Sequence, residues 1–202
     1  MKKLALFLAV VLLLAAALPV TALAVPEVVG SGKVGRLKWT LDEEGTLTIR
    51  GKGAMPDFGE NKKGDWVTPP WTDCGQELRE VVVEKGVTSI GAFAFAEWSS
   101  LTSVTLPAGL KSIGGMAFVW CDGLESVEIP DSVTNIGTGA FSECGLVCVT
   151  IPEKVKTIGG WAFSDCVSLT DVYFAGSEKK WKAIRIGEDA FPEGVTIHYK
   201  DK

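Results

Sequence analysis

A pattern of apolar positions recurs along this chain in units that begin at Leu78, Leu101, Leu124, Leu146 and Leu169. The units start 23, 23, 22 and 23 residues apart. Most carry the frame L-x-x-V-x-(I/L/V), then usually a proline, then V-x-x-I-G-x-x-A-F-x-x-(C/W). A fixed period of this length is typical of proteins whose units bury their apolar faces only against neighbouring units. The pattern predicts an α/β, β-rich solenoid of about four to five repeats of about 23 residues.

The unit that begins at Leu124 shows the elements expected in each repeat. Residues 127–129 alternate and predict a short strand with Glu128 outward, which Pro130 ends because proline cannot donate to a ladder. Gly137 marks a corner, and the spacing of the apolar positions in 140–144 predicts one short α or 3₁₀ turn.

Two interior columns should run through the stacked units, since equivalent residues of adjacent strands lie about 4.8 Å apart. One column is aromatic and fills the centre, and the other is small where the chain turns tightly. Their members are Phe95, Phe118, Phe141 and Phe163, and Ala94, Ala117, Ala140 and Ala162.

The region before the repeats predicts a cap for the first unit. Residues 25–35 are expected to be a flexible leader, while 37–41 and 46–49 alternate and predict a hairpin. Gly45 supplies the positive φ that its short loop requires.

Residues 51–70 are rich in Gly, Lys, Asp and Pro and predict a loop. Trp66 and Trp71 flank its two prolines, and we expect both indoles to pin the loop to the body. After the repeats, Trp181 should lie over the end of the core, and residues 195–199 predict a last strand. The segments are a signal peptide (1–24), an N-terminal leader and hairpin cap (25–77), repeats (78–175) and a C-terminal cap (176–202).

The first 24 residues have the pattern of a secretion signal. Lys2 and Lys3 precede an apolar run at 4–18, and residues 22–24 read Ala-Leu-Ala, a small-x-small cleavage site. The run is shorter than the roughly 20 residues that a membrane span needs. We expect a secreted or surface-exposed chain without a membrane span after cleavage; an uncleaved anchor is the alternative.

Cleavage after residue 24 removes two of the 20 basic residues and none of the 25 acidic ones, leaving a net charge of about −7. A nucleic acid or an anionic membrane would instead need a basic stripe. The expected partners are therefore proteins or glycans on host or bacterial surfaces, bound by a monomer.

Five cysteines remain after cleavage. Cys121, Cys144 and Cys166 share one column, where parallel Cβ vectors disfavour disulfides, so we expect buried thiols that act as core. Cys148 falls on the outward phase of its strand, and Cys74 precedes the repeats. A linear column does not converge on one point, so no metal site is expected.

No catalytic set stands out in the sequence. His198 is the only histidine and lies on an alternating strand, where we expect a structural role. A glycan hydrolase would need paired carboxylates in a cleft, and the acidic pairs of this chain lie in predicted turns. We expect neither an enzyme nor a cofactor.

The repeat frame resembles that of the BspA-like, or Treponema-type, leucine-rich repeat proteins of bacterial surfaces. The resemblance covers residues 78–175 well, and the flanking pieces are similar to those of the family. It implies a right-handed, horseshoe-like α/β solenoid with a role in adhesion or partner binding. The residues that carry it in the third unit are Leu124-Glu125-Ser126-Val127-Glu128-Ile129-Pro130, Ile136-Gly137, Ala140-Phe141 and Cys144.

Two surfaces are candidates for partner binding. Outward strand positions form a polar face, the default contact surface of a curved repeat protein: Ser103, Thr105, Ser126, Glu128, Thr150, Asp171 and Tyr173. A second surface lies just before the Ala-Phe pair and is apolar, although its side chains could instead fold over the corner as packing: Phe93, Met116, Trp120 and Trp161. The predicted function is a non-catalytic interaction module that binds through the strand face, and a passive envelope spacer is the alternative.

Overall fold

The computed structural model describes residues 25–75 and 77–200, so the predicted signal sequence lies outside the described part. The elements before the repeats are β1 (Val28–Val34), β2 (Leu37–Asp42), β3 (Thr46–Gly51), β4 (Gly53–Ala54), β5 (Gly59–Glu60), β6 (Trp66–Val67) and a 3₁₀ turn (Thr72–Cys74). The elements that follow are β7 (Glu80–Val83), β8 (Val87–Ile90), β9 (Ser103–Thr105), β10 (Ser112–Ile113), β11 (Asn135–Ile136), β12 (Cys148–Ile151), β13 (Thr157–Ile158), β14 (Asp171–Phe174), α1 (Glu178–Trp181), β15 (Arg185–Ile186) and β16 (Thr196–Tyr199). No helix in the described ranges is long and apolar enough to cross a bilayer.

The predicted hairpin is confirmed. β2 and β3 pair antiparallel, with Trp39 opposite Ile49, and their inward residues are buried in alternation. Gly45 has φ 86° in the connecting turn. The hairpin continues into the repeats, because β3 pairs in parallel with β7 and β7 with β9.

The prediction of a flexible leader at residues 25–35 is wrong, since β1 pairs antiparallel with β2 over most of that segment. The glycines of β1 explain why the sequence does not show the alternation of apolar and polar residues that predicts a strand. A Cβ at Gly32 would lie 2.9 Å from Nε1 of Trp39, and a Cβ at Gly30 would lie 3.2 Å from the same indole. The strand therefore needs glycines where an ordinary strand has side chains.

Residues 51–70 are not only a loop. β4 pairs in parallel with β8, β5 pairs antiparallel with β6, and Met55 and Phe58 are buried. Tertiary pairing thus overrides the turn-forming composition of this segment.

The first strands of the repeats pair in parallel on either side of the third unit, which contributes no strand there. β1, β2, β3, β7 and β9 form one sheet, and β12, β14 and β16 form another. The strand predicted at 127–129 is absent, although Ile129 is buried and Glu128 exposed as expected. The third unit has the same frame as its neighbours, so nothing in the sequence marks this break.

A second ladder lies at the isoleucine that precedes the corner glycine of each unit and was not predicted as strand. It runs in the order β15, β13, β11, β10, β8 and β4, with parallel pairing throughout. Each of its strands spans only two to four residues, which is too short for alternation to be visible in the sequence.

The glycine that follows each of these strands except β4 allows the units to approach closely. A Cβ at Gly137 would lie 2.5 Å from the backbone nitrogen of Gly115, and a Cβ at Gly159 would lie 2.3 Å from that of Thr138. The predicted corner is therefore a contact between neighbouring backbones.

The short α or 3₁₀ turn predicted at 140–144 is only partly confirmed: no helix forms there, but the N–H of Ser142 donates to the carbonyl oxygen of Gly139 at 3.1 Å, as in a single 3₁₀ turn. The backbone N–H of Phe141 donates to the carbonyl oxygen of Ala162 in the next unit at 2.8 Å, and that of Glu143 donates to Ser164 at 2.9 Å. Because these donors point at the neighbouring unit, they cannot close helical hydrogen bonds within their own. The segment is a third row of contacts between units.

The aromatic column forms a continuous stack through the core, as predicted. Phe118 stacks on Phe95 with ring centroids 5.2 Å apart and on Phe141 at 5.1 Å. Trp71 extends the stack at one end and donates its indole N–H to the carbonyl oxygen of Ala94, so it does pin the preceding loop. Like the Phe column, the alanine column is buried.

The far end of the core is covered by aromatic side chains. Phe191 stacks on Phe163, and Trp181 at the end of α1 contacts Phe174, Phe191 and Tyr199 at centroid distances of 5.2, 6.0 and 6.4 Å. Trp181 thus has the position predicted for it.

Candidate interaction surface

One column of the repeats has a left-handed backbone at every unit. The residue two positions before each core Phe has φ between 50° and 61°, a conformation that glycine and asparagine accept and bulky side chains rarely adopt. Gly139 occupies the column in one unit, whereas large apolar residues occupy it in three. The members are Phe93, Met116, Gly139, Trp161 and Asp189.

Several of these side chains are open to solvent. Met116 is 38% and Trp161 50% exposed, and Trp120, on the next turn, is 47% exposed. Trp66 is 63% exposed and touches half-buried Phe93 edge to face, with ring centroids 5.6 Å apart. We call these five residues the aromatic edge. Of the two indoles expected to pin the loop to the body, Trp71 enters the core, whereas Trp66 contacts Phe93 but stays mostly exposed.

The aromatic edge borders a groove of about 360 Å³. Its floor includes Gly139, whose missing side chain leaves a notch beside Met116 and in front of Trp120 and Trp161. A Cβ at Gly139 would lie 3.2 Å from Cγ of Met116, so any larger residue there would fill the notch.

A second left-handed column runs beside the first and is mostly acidic. Glu97, Trp120, Glu143 and Asp165 have φ between 55° and 67° and are exposed. Inter-unit hydrogen bonds hold this backbone, since the N–H of Trp120 donates to Ser142 at 3.1 Å. Glu97 and Glu143 both line the groove, on the units that flank Trp120.

The predicted strand face is polar and mostly exposed, but it is not one sheet. Its outward positions are exposed except Asp171, which is half-buried, and the ladder is interrupted at the third unit. At the C-terminal end of this face, Tyr173 stacks on His198 with ring centroids 4.7 Å apart. Nε2 of His198 donates to Oδ1 of Asp171 at 2.6 Å, and this bond is the main cause that lowers the pKa of Asp171.

The cysteine column, which comprises Cys121, Cys144 and Cys166, is buried and unbonded to other sulfurs. Each thiol donates to the carbonyl oxygen of the core Phe of the preceding unit at 3.0–3.1 Å. Burial raises the pKa of Cys121 to about 12 and that of Cys166 to about 11, and it raises the pKa of Cys144 as well. These thiols are core groups, whereas Cys148 is exposed.

No group of three or more His, Cys, Asp or Glu side chains within residues 25–75 and 77–200 is placed to hold a metal ion.

Phe93, Met116, Trp120 and Trp161, which the sequence pattern predicts as one surface, line the same groove, and Trp66, Glu97 and Glu143 line it as well without having been predicted. The position of Trp66 depends on how residues 59–67 fold back, which the sequence does not encode locally. The two glutamates recur two positions after a core Phe, and this register could have identified them.

Comparison with known proteins agrees with the architecture. A model of the BspA type leucine rich repeat region matches residues 73–197 in six copies, where the sequence pattern predicts four to five. Leucine-rich repeats are typically non-catalytic interaction modules. Since the match covers more than half of the chain, this protein belongs to the BspA-type leucine-rich repeat family.

The chain is also similar to solved structures of bacterial leucine-rich repeat proteins. One from Eubacterium ventriosum is 27% identical, with a TM-score of 0.65, over 83% of this chain and 42% of that chain. A leucine rich cell surface protein from Faecalibacterium prausnitzii is 27% identical, with a TM-score of 0.51, over 86% and 55%. The T. pallidum leucine rich repeat protein is 26% identical, with a TM-score of 0.50, over 84% and 86%. The chain thus spans less than half the length of the first of these structures. The search of curated proteins found no match.

Proposed function

We propose that this protein is a secreted or cell-surface interaction module that binds its partner through the aromatic edge. The observation that carries the proposal is the exposure of four large apolar side chains, Trp66, Met116, Trp120 and Trp161, along one groove. Aromatic residues and methionine are enriched in protein interfaces, where they lose contact with water.

Backbone strain supports the same surface. A left-handed conformation costs a residue with a Cβ roughly 1–2 kcal/mol, and such residues cluster at functional sites. Gly139 and Asp189 occupy the same column as Trp161, so the fold itself does not require a bulky residue there. The aromatic side chains are therefore best explained by what they contact outside the chain.

The signal-like N-terminus and the cell-surface description of the Faecalibacterium relative support export of this protein. We further propose that the units form a right-handed, horseshoe-like solenoid, with the aromatic edge at the corner that precedes each core Phe. The strand face, whose central residues include Glu128 and Tyr173, is the second candidate contact surface.

The test separates the aromatic edge from the strand face. Trp120→Asn and Trp161→Asn remove the indoles and place a residue that tolerates φ > 0, so folding should be kept. The matched control is Glu128→Ala with Tyr173→Ala on the strand face. Immobilised protein is exposed to host and bacterial surface extracts, and retained material is quantified against an uncoated support.

Retention by the wild type and the strand-face variant, with loss in the indole variant, would support the proposal. Equal retention by all three proteins would refute the aromatic edge as the contact, and loss only in the strand-face variant would assign binding to that face. Nothing retained above background would favour the passive spacer.

A further inference from the structure

We infer that the groove at the aromatic edge receives a lysine or arginine side chain from an apolar segment of a protein partner. This inference rests on the proposed function and names the chemistry of its ligand. It follows from the charge of the groove, from its shape and from the kind of hydrogen-bonding groups that line it.

The charge around the groove is negative and uncompensated. Glu97 and Glu143 flank Trp120 on the units before and after it, and no Lys or Arg side chain lines the groove. Neither carboxylate forms an ion pair with any residue of the described chain. Two free carboxylates beside an exposed indole face attract a cation, because the negative face of the indole ring adds to their charge.

The notch at Gly139 has the dimensions of one long side chain. Met116 and Trp161 are two units apart in the same column, which places their backbones about 9–10 Å apart. Gly139 lies between them without a side chain. The alkyl stem of a lysine or arginine can pack between Met116 and Trp161 while its charged head reaches Trp120 and Glu143, in the way such side chains cover apolar surface.

The hydrogen-bonding groups favour a cation over a neutral sugar. A sugar hydroxyl is both donor and acceptor, whereas an ammonium or guanidinium only donates. The carboxylates of Glu97 and Glu143 only accept, and the polar side chains that complete the lining are the hydroxyls of Thr138 and Ser142. A sugar hydroxyl can also donate to a carboxylate, but an ammonium or guanidinium makes stronger, charge-assisted hydrogen bonds to the two carboxylates and is attracted by their charge.

The apolar surface continues beyond the notch, which favours a protein segment over a small free cation. On one side Phe93 and Trp66 are in edge-to-face contact, and on the other side Trp161 is half exposed. A cation alone would leave both regions in water. Apolar residues on either side of the lysine or arginine would cover them.

The experiment compares two peptides that differ only in charge. One is acetyl-Gly-Leu-Lys-Leu-Gly-amide, and its twin carries an acetylated lysine ammonium. Each is titrated to about 10 mM into the ¹⁵N-labelled protein, and binding is read from the indole N–H signals of Trp120 and Trp161. We expect the charged peptide to bind at least about fivefold more tightly than its twin, as one cation–π contact in a negative site would give.

Two variants test which features cause the difference. Glu97→Gln with Glu143→Gln removes the negative charge at constant shape, so the preference for the charged peptide should fall to what the cation–π contact with Trp120 alone provides. Gly139→Met fills the notch with the residue that Met116 presents one unit earlier, and binding of the charged peptide should be lost. Gly109→Met is the control, because a Cβ there would meet no atom within 4 Å and the site is not part of the groove.

Equal affinity for the two peptides, or no indole shift with either, would overturn the inference. Indole shifts with chitotetraose and none with the charged peptide would overturn it as well and assign the groove to a neutral glycan. Each of these results leaves the aromatic edge as a contact surface. The proposed function instead fails when the Trp120→Asn and Trp161→Asn variant retains its surface partner.

Discussion

Truncation of one ring in the aromatic stack tests whether the core depends on units that cannot close up around a cavity. Phe118 is fully buried between Phe95 and Phe141, with ring centroids 5.2 and 5.1 Å away. Phe118→Ala removes a buried ring, which costs about 3–5 kcal/mol in protein cores. That range already includes ring contacts of about 0.5–1.5 kcal/mol each, and because Phe118 loses two of them we expect a loss in its upper part, about 4–5 kcal/mol.

Relaxation should be small because backbone hydrogen bonds hold the neighbouring units apart. The N–H of Phe118 donates to Ala140 at 2.9 Å, and that of Phe95 donates to Ala117 at 2.8 Å. These contacts fix the spacing between units at that of paired strands. The rings of Phe95 and Phe141 therefore cannot meet across the gap, and the cavity stays open.

The matched control is the last ring of the stack. Phe191 is half-buried and stacks on Phe163 on one face only, with Trp181 tilted 6.0 Å away. Phe191→Ala should therefore cost about 1–2 kcal/mol, as expected for partial loss of buried apolar area. Its partners also have more freedom to move into the space.

Urea unfolding followed by circular dichroism and tryptophan fluorescence gives both free energies by linear extrapolation. The comparison requires similar m-values, because a changed slope would report a different unfolded or partly folded state. A loss below 1 kcal/mol for Phe118→Ala, or a loss no greater than that for Phe191→Ala, would refute the argument from a rigid interior stack.

Two further predictions concern titratable groups. Cys148 should react with a thiol reagent in the native protein while the cysteine column does not, because burial keeps the pKa of those thiols high and closes access to them; equal labelling of all four in mass spectra would contradict this. The carboxyl of Asp171 should titrate below the ordinary aspartate pKa, and His198→Ala should raise its NMR midpoint. Because the folded-state pKa is the lower one, the contact stabilises the fold above the unfolded-state pKa, and this effect disappears as pH falls through the folded-state value. An unchanged midpoint in the variant would show that the hydrogen bond does not form in solution.

The inward columns were predictable from the sequence because each is repeated in register. Phe118 and Cys144 are both buried where the frame places them, and one error in one unit would have been corrected by its neighbours. Features that occur once were predictable only where the local pattern is strong, as in the β2–β3 hairpin. β1 depends on glycines that lie against Trp39, and the exposure of Trp66 depends on the fold of a single irregular segment.

The backbone conformation of the segment before and after each core Phe was also not predicted correctly from the sequence. Residues 140–144 have the apolar spacing of a helical turn, but the N–H of Phe141 donates to the next unit. The spacing of apolar side chains does not distinguish a helix from a turn in which hydrogen bonds within the unit, such as that from the N–H of Ser142 to Gly139, alternate with bonds to the next unit. The signal that did exist was glycine at position 139, a residue that commonly adopts φ > 0.

The hydrogen bonds between units have different consequences for folding and for partner binding. They impose φ > 0 on the column of Met116, Gly139 and Trp161 whatever the side chain, and they point that side chain away from the aromatic stack. The core therefore constrains the backbone at these positions but not the residue. A glycine in this column adopts φ > 0 without strain and leaves a notch in the surface. A tryptophan is strained there, and its side chain forms one side of the groove. Stability and binding should consequently change in opposite directions at this column, and a variant that is more stable but no longer binds would be the expected result of replacing its aromatic residues.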